Sequence, residues 1–274
     1  MRRAVRAVNA PSWPLSNGSR LFNKMAHALG QSRSAILLNS REPLDKGQLD
    51  AFTTLTARRM THEPVAYITG VQEFFGHEFA VARGVLIPRA DSETTLLAAL
   101  DAAKQDARVL DCGTGPGTLL LAFLAERPTA TGLGIDASSA ALAIACSNAE
   151  KLGLTGRAQF QRGDWTQDGW ADQLGTFDLI ISNPPYVEQD AALARDVAEW
   201  EPAEALFAGA EGLDDYQILI PQLGELLAEK GIAVLEIGAA QKEQVSLLAR
   251  ESGFSAECHE DLAARPRTLV LRKL

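Results

Sequence analysis

A glycine-rich turn within VLDCGTGPGTLLLAFLAE (residues 109–126) lies between an apolar run and a helical segment. Glycine lets a backbone turn tightly and come close to a ligand, and the N–H groups at a helix start point toward that ligand. The G-x-G-x-G spacing differs from the G-x-G-x-x-G of dinucleotide sites, and an acid precedes the loop. The acid can bind an amino group, and the neighbouring N–H groups can bind a carboxylate. Together they favour the methionine end of S-adenosylmethionine over a pyrophosphate. The predicted contact residues are Asp111, Gly113, Thr114, Gly115, Pro116 and Gly117.

Two further sites follow the next two predicted strands. Asp136 comes 25 residues after Asp111, near the spacing at which an acid reaches ribose hydroxyls. Asp164 is placed to accept from an adenine amino group, and Trp165 to stack on the ring. Each also has a structural alternative, with Asp136 as a helix N-cap and Trp165 as a core aromatic. Because they lie at consecutive strand ends, we predict one shared cofactor site.

The stretch ISNPPYVE (residues 181–188) places Asn183, Pro184, Pro185 and Tyr186 directly after another predicted strand. Proline has a fixed φ and no N–H, so this loop is stiff and offers carbonyl acceptors without competing donors. The ligand must therefore supply the hydrogens. An –NH2 group fits, because the Asn183 side-chain oxygen and the Pro184 carbonyl can each accept one hydrogen. Tyr186 can stack on a planar group and tolerate positive charge there.

These four residues are the predicted catalytic group, and Asn183 is also a predicted cofactor contact. Beside a sulfonium methyl donor, they predict methyl transfer to a planar, conjugated nitrogen such as a carboxamide or an adenine amino group. Positioning and acceptors that stabilise charge developing on nitrogen can supply the catalysis, without a general base before transfer. The structural alternative, a Pro-Pro turn that closes a strand, accounts for the prolines alone.

The sequence pattern predicts alternating strands and helices, and these elements position the candidate residues. The predicted helices include 138–152 and 214–229, and another helix begins in 91–104, where an Asp/Ser pair is a candidate cap. This alternation predicts an α/β fold with a largely parallel sheet, helices on both faces, and ligands outside the carboxyl ends of the strands. The predicted strands are 107–112, 129–136, 158–164, 177–183, 231–238 and 267–274.

The residues before this region have a different character. Residues 20–70 show a helical pattern, with Leu44, Leu49, Phe52 and Leu55 on one face of a segment that runs to Arg59. Short β-branched and aromatic runs with glycines predict strands and hairpins over 62–89. The predicted division is a helical domain (1–70), a β-hairpin connector (71–90) and a cofactor-binding domain (91–274).

Charge and composition narrow the function classes. Residues 1–41 contain seven Lys or Arg and no acid, so the net charge of −9 divides into +7 there and −16 over 42–274. An acidic domain of this size repels phosphate backbones and counts against a nucleic-acid substrate. The basic segment has the composition of a transit peptide, but APSWPLSNG (10–18) interrupts any amphipathic helix, so we favour a polar arm over 1–19.

Cysteine and histidine usage indicates a reducing compartment and no metal. The three cysteines form no C-x-x-C pair, and the four histidines are scattered. No apolar stretch reaches the roughly 18 to 20 residues of a membrane span. We therefore expect a cytoplasmic, metal-free protein without a membrane segment.

Several motifs together resemble the glutamine N-methyltransferases that modify the Gly-Gly-Gln (GGQ) motif of peptide chain release factors. The resemblance runs from about residue 20 to the C-terminus. Three departures are Pro116 for a usual Ser or Thr, Cys112 for Leu, and Ala90 for Pro. The motifs that carry the resemblance are EPVAYITG (63–70), IPRADSE (87–93), DCGTGPG (111–117), NPPY (183–186), EPAEALFAGAEGLDDY (201–216) and LEIG (235–238).

The resemblance implies a helical N-terminal domain that recognises the protein substrate and a seven-stranded, Rossmann-like class I methyltransferase domain. It implies cofactor contacts at Gly113 to Gly117, Asp136, Trp165 and Asn183, and a glutamine amide held by Asn183 to Tyr186. We expect S-adenosylmethionine as cofactor, a release factor as partner, no nucleic-acid substrate and a monomeric enzyme.

Three alternatives stay open at this stage. The first is the same reaction on a glutamine of a ribosomal protein, which would differ mainly in the N-terminal domain. The second is methylation of an adenine amino group, which would require a basic groove or a target-recognition insert. The third is a non-enzymatic S-adenosylmethionine-binding protein, against which the intact Asn183 and Tyr186 argue.

Overall fold

A computed structural model describes residues 30–38 and 42–274 of the chain. These residues form two compact units. The first ends at Gly70 and also includes Ala194–Trp200, and the second comprises Val71–Leu193 and Glu201–Leu274. The arm predicted over 1–19, and the start of the helical pattern at residue 20, lie outside the described residues. The inclusion of Ala194–Trp200 in the first unit was not predicted.

The helices and strands are numbered in chain order over the described residues. The helices are α1 (Arg33–Leu38), α2 (Lys46–Met60), α3 (Val65–Thr69), α4 (Glu93–Ala102), α5 (Thr118–Glu126), α6 (Ser139–Lys151), α7 (Arg195–Ala198), α8 (Asp214–Leu226) and α9 (Lys242–Glu251). The strands are β1 (Val71–Phe74), β2 (His77–Ala80), β3 (Arg108–Cys112), β4 (Thr131–Asp136), β5 (Ala158–Arg162), β6 (Phe177–Ser182), β7 (Leu227–Glu236), β8 (Phe254–Glu260) and β9 (Pro266–Lys273). Two short 3-10 turns cover Ala90–Ser92 and Ala203–Ala205.

The first unit is helical. Helix α2 begins with a capping box, in which Asp45 accepts from the Gln48 N–H at 2.8 Å and Gln48 accepts from the Asp45 N–H at 3.0 Å. The predicted apolar face is half-buried at Phe52 and Leu55 and exposed at Leu49. Helix α3 corrects the prediction of strands and hairpins over 62–89, because burial of its central residues outweighs the β propensity of this run.

A side chain of α2 and a backbone carbonyl of the following turn contact Ala194–Trp200. Arg59 pairs with Asp196 at 3.4 Å. The Trp200 indole donates to the Thr61 carbonyl at 3.1 Å. No local sequence pattern near residue 60 indicates partners more than a hundred positions away, which is why this segment was missed.

The second unit begins with the predicted hairpin. Strands β1 and β2 pair antiparallel, and the turn residues Phe75 and Gly76 both have positive φ, at 49° and 78°. The Asn148 side chain of α6 accepts from the Ala80 N–H at 2.7 Å and donates to the Pro116 carbonyl at 2.8 Å. This one amide therefore connects the hairpin to the glycine loop.

A seven-stranded sheet forms the centre of the second unit, in the order β5-β4-β3-β6-β7-β9-β8. The five strands β3 to β7 run parallel, and β9 is antiparallel to both β7 and β8. The predicted α/β class, with seven strands and a hairpin, is confirmed. Strand β8 was missed because most positions of this edge strand are polar and solvent-accessible.

Two boundaries were wrong at the junction of α8 and β7. The helix ends at Leu226 instead of 229, and the strand begins at Leu227 instead of 231. Leu227 pairs with Phe177 of β6, so strand pairing sets this boundary. Successive residues of the central strands belong to two apolar clusters, which places one cluster on each face of the sheet.

In the part of the chain that the structure describes, no helix has both the length and the apolar character needed to cross a bilayer.

Candidate active site

The carboxyl ends of β3, β4 and β6 border a cavity of about 720 Å³, within the usual size of small-molecule sites. Most residues predicted from the sequence meet there. Gly117 and Pro184 are not among the lining residues that the structure describes, and Tyr186 lines a neighbouring cavity of about 50 Å³. The predicted residues that line the larger cavity are Asp111, Gly113, Thr114, Gly115, Pro116, Asp136, Asp164, Trp165, Asn183 and Pro185.

The glycine loop requires glycine at its two ends. Gly113 has a φ of 74°, and a Cβ there would come within 3.0 Å of the Trp165 ring. Gly117 has a φ of 83°, and a Cβ there would come within 2.9 Å of Leu121. Neither position therefore accommodates a larger residue, because the Trp165 ring blocks Gly113 and core packing blocks Gly117.

Several N–H groups of the loop are used inside the protein. Those of Gly113 and Thr114 both donate to the Ile135 carbonyl at 2.9 Å, which holds the loop against β4. Helix α5 starts at Thr118, and the first N–H groups of a helix lack intrahelical acceptors. Thr118 and Leu119 both line the cavity, so N–H groups of this first turn lie where a ligand could use them. Their contact with a ligand stays a prediction.

Asp111 is buried at the base of the cavity. Its Oδ2 accepts from the Thr114 hydroxyl at 2.7 Å and from the Leu120 N–H at 3.3 Å. Its Oδ1 has no hydrogen-bond partner among the described residues. Burial raises the pKa of this carboxyl to about 7. An unpartnered, buried carboxylate oxygen suits a cationic amino group, because such a ligand would supply both the hydrogen bond and the compensating charge.

Asp136 holds the loop and the next helix together. Its Oδ2 accepts from the Gly115 N–H and its Oδ1 from the Ser138 N–H, both at 2.8 Å. The N-cap of α6 is Ser138, which accepts from the Ala141 N–H at 3.2 Å, so the alternative of Asp136 as the cap is wrong by two positions. Burial raises the pKa of Asp136. Each carboxylate oxygen can accept a second hydrogen bond, and contact with a ribose stays a prediction.

Asp164 and Trp165 lie side by side on the cavity wall. Asp164 accepts from the side chain and the N–H of Thr166, at 2.6 and 3.0 Å, and these bonds lower its pKa. Trp165 packs against the core, as the structural alternative predicted, and also lines the cavity. Stacking on an adenine ring stays a prediction.

Asp215 was missed by the sequence analysis. It lines the cavity and accepts from the Trp165 indole at 2.8 Å, which fixes the plane of the ring. Burial raises the pKa of Asp215. The available signal was the acidic pair in EGLDDY at the start of α8, within one of the motifs that carry the family resemblance.

The NPPY loop joins the two cavities. Asn183 lines both of them, Pro185 the larger and Tyr186 the smaller. The Asn183 Nδ2 donates to the Ser92 hydroxyl at 3.5 Å. The Tyr186 hydroxyl donates to Glu236 Oε1 at 3.3 Å, and burial raises the pKa of this tyrosine.

The backbone of this loop is also fixed. Gln241 donates to the carbonyls of Tyr186 and Gly212, both at 3.0 Å. A Cβ at Gly212 would collide with the Tyr186 carbonyl, so this glycine allows the close approach. The Val187 N–H donates to the Leu206 carbonyl at 2.8 Å.

An ion pair that was not predicted lies beside the loop. Arg89 lines both cavities and pairs with Glu201 at 2.6 Å. The buried Glu201 carboxylate also accepts from the Ile87 N–H at 3.1 Å. Arg89 belongs to the motif IPRADSE and Glu201 to EPAEALFAGAEGLDDY, but neither motif indicates that the two residues pair.

Clusters of three or more His, Cys, Asp or Glu side chains able to hold a metal ion are absent from the described residues. A metal-free reaction stays a prediction.

Comparisons with known proteins agree with this geometry. Residues 24–70 match the model of the PrmC N-terminal domain, and residues 103–259 match a methyltransferase domain. The chain is 41% identical to a release factor glutamine methyltransferase of Rhodospirillum rubrum over 90% of this chain and 76% of that one. It is 39% identical to the protein of the same name from Cereibacter sphaeroides, over 90% of this chain and 88% of that one.

A solved structure shares the fold. A methyltransferase from Pyrococcus furiosus superposes with a TM-score of 0.53 and 17% identity, over 81% of this chain and 98% of that one.

Proposed function

Because this chain belongs to the family of release factor glutamine methyltransferases, we propose that it methylates the side-chain amide nitrogen of the GGQ glutamine in peptide chain release factors. The methyl donor is S-adenosylmethionine, which supplies an electrophilic methyl group on a sulfonium when bound. The observation that carries the proposal is the meeting of an unpartnered acid and an acceptor-rich loop at one cavity. Asp111, near the end of β3, and Asn183, directly after the neighbouring strand β6, both line that cavity.

The chain's own residues fit this donor. Asp111 offers an unpartnered oxygen for the amino group, and the first turn of α5 offers N–H groups for the carboxylate. Asp136 and Asp164 offer carboxylates for the ribose and the adenine amino group. Trp165 presents a ring whose plane is held by Asp215.

Asn183 and Pro184 orient the glutamine amide. An amide nitrogen is a poor nucleophile because its lone pair is delocalised into the carbonyl. Acceptors at the Asn183 side-chain oxygen and the Pro184 carbonyl would each take one N–H, which directs the lone pair along the line of transfer. The same acceptors stabilise the positive charge that develops on nitrogen as the new bond forms.

The helical first unit is the proposed recognition domain for the release factor, because a pocket for one amide cannot choose among all exposed glutamines. We further propose that the enzyme is a cytoplasmic monomer that acts on protein and not on nucleic acid. The acidic balance of residues 42–274 supports the last point.

Peptide mass spectrometry of a purified release factor tests this function. Incubation with the enzyme and S-adenosylmethionine should add one methyl group to the GGQ peptide. The same peptide should stay unmodified without enzyme, or when its glutamine is replaced by alanine. A modified ribosomal protein beside an unmodified release factor would overturn the assignment of substrate.

A further inference from the structure

Glu236 ends β7 beneath the NPPY loop and is completely buried. Its carboxylate accepts hydrogen bonds from three side-chain hydroxyl groups. Tyr186 donates to Oε1 at 3.3 Å, Thr95 donates to Oε2 at 3.5 Å, and Ser92 donates a third hydrogen bond. None of the roles proposed above uses this carboxylate, although it contacts Tyr186 of the NPPY loop directly and Asn183 through Ser92.

The direction of these hydrogen bonds follows from the carboxylate. An ionised carboxylate accepts only, whereas a hydroxyl has a single proton to donate. When Ser92 gives its proton to Glu236, its oxygen can offer Asn183 only a lone pair. The side-chain amide of Asn183 must then present its Nδ2, as observed at 3.5 Å, which turns its Oδ1 away from Ser92.

We propose that Glu236 is a positioning residue for methyl transfer, because its carboxylate sets the orientation of the Asn183 amide through Ser92 and holds the Tyr186 ring through its hydroxyl. This inference rests on the proposed function, since the acceptor it orients is the one assigned to the glutamine N–H. An amide at position 236 could donate to Ser92, and the Ser92 proton could then turn to Asn183. Asn183 would present its oxygen to Ser92 and its NH2 group to the substrate, where two donors would face each other.

The charges around Glu236 make this orientation depend on pH. Burial is the largest effect and raises the pKa of Glu236 to about 7. Hydrogen bonds from Ser92 and Tyr186 and the positive charge of Arg267 on β9 act in the opposite direction and lower this pKa. Asp91 raises it further, and Tyr216 of α8 donates to the backbone carbonyl of Glu236 at 2.7 Å. The ionised form that orients Asn183 predominates above this pKa, so the transfer rate should rise with pH through neutrality.

The decisive variants are Glu236→Gln and Ser92→Ala, with Glu257→Gln as the matched control. Glu257 lies on β8 with an exposed carboxylate, so the control makes the same chemical change away from the loop. Each protein is assayed for single-turnover methylation of a release factor at saturating S-adenosylmethionine, from about pH 6 to about pH 9. Cofactor affinity and thermal unfolding are measured in parallel.

We expect Glu236→Gln to lower the single-turnover rate about tenfold or more, with little change in cofactor affinity, and to remove the rise with pH. Ser92→Ala should lower the rate as well. The double variant should be no slower than the slower single variant, because both changes interrupt the same hydrogen-bond connection from Glu236 to Asn183. Glu257→Gln should match the wild type in rate and pH profile.

Wild-type rates with an intact pH profile in a folded Glu236→Gln protein would overturn the inference. If that variant does not fold, a wild-type rate for Ser92→Ala would overturn it equally. A wild-type enzyme that leaves the release factor unmodified would instead contradict the proposed function.

Discussion

The proposed cofactor side and the proposed substrate side of the cavity are built by different means. On the cofactor side, Asp136 accepts hydrogen bonds from the N–H groups of Ser138, two residues away, and of Gly115, in the loop that follows the adjacent strand β3. On the substrate side, Asn183 and Tyr186 depend on side chains 91 and 50 residues away. The first arrangement is fixed by the sheet itself. The second requires the packed core, and is therefore more sensitive to single side-chain changes.

The largest expected effect is on the substrate side. Asn183→Ala removes the acceptor proposed to face the glutamine amide, so the single-turnover rate should fall by about 10²-fold or more. Asn183→Asp keeps an acceptor oxygen but replaces the NH2 group that donates to Ser92, and we expect impairment there too. Rapid-quench methylation of a release factor measures both rates. A near-normal rate for Asn183→Ala would remove this residue from the mechanism.

An intermediate effect is expected on the cofactor side. Asp111→Asn leaves the buried site without the charge proposed to meet the amino group, so binding of S-adenosylmethionine should weaken by about 1.5 to 3 kcal/mol. Calorimetry measures this affinity, and a fall in rate at saturating cofactor should be small by comparison.

The same variant should change the pH dependence of binding. Burial raises the pKa of the Asp111 carboxyl to about 7, so the ionised form that suits the amino group predominates at higher pH. Affinity in the wild type should therefore increase as pH rises through neutrality, and in Asp111→Asn it should lose this increase. An unchanged pH profile in the variant would show that another group titrates.

The smallest effect is expected for the Tyr186 hydroxyl. Tyr186→Phe keeps the ring and loses one hydrogen bond of 3.3 Å to Glu236, whereas Tyr186→Ala also removes the ring on which we propose the substrate amide stacks. We expect the phenylalanine variant to retain most of its activity and the alanine variant to lose much more. Equal losses in single-turnover assays would mean that the hydroxyl matters more than the ring.

The same contrast explains what the sequence could predict. Strand ends followed by glycines, acids or NPPY are local patterns, and most of the residues predicted from them line the larger cavity. Ser92, Glu201 and Glu236 gave no such signal, because their partners are distant along the chain. The Arg89–Glu201 pair, for example, spans 112 residues.

Elements were missed for related reasons. Helix α3 consists largely of residues that favour strands, and burial decides its conformation. Strand β8 has mostly polar positions at a sheet edge, and only its pairing with β9 identifies it. The position of Ala194–Trp200 in the first unit depends on contacts such as Arg59 with Asp196, which no local pattern encodes.

The most direct test of the account is the chemical position of the transferred methyl group. A release factor is methylated with methyl-labelled S-adenosylmethionine and then hydrolysed in acid, which cleaves the side-chain amide of glutamine. Transfer to the amide nitrogen predicts that the label is released as methylamine. Label that stays on a lysine, an arginine or any other amino acid after hydrolysis would contradict methylation of the glutamine amide.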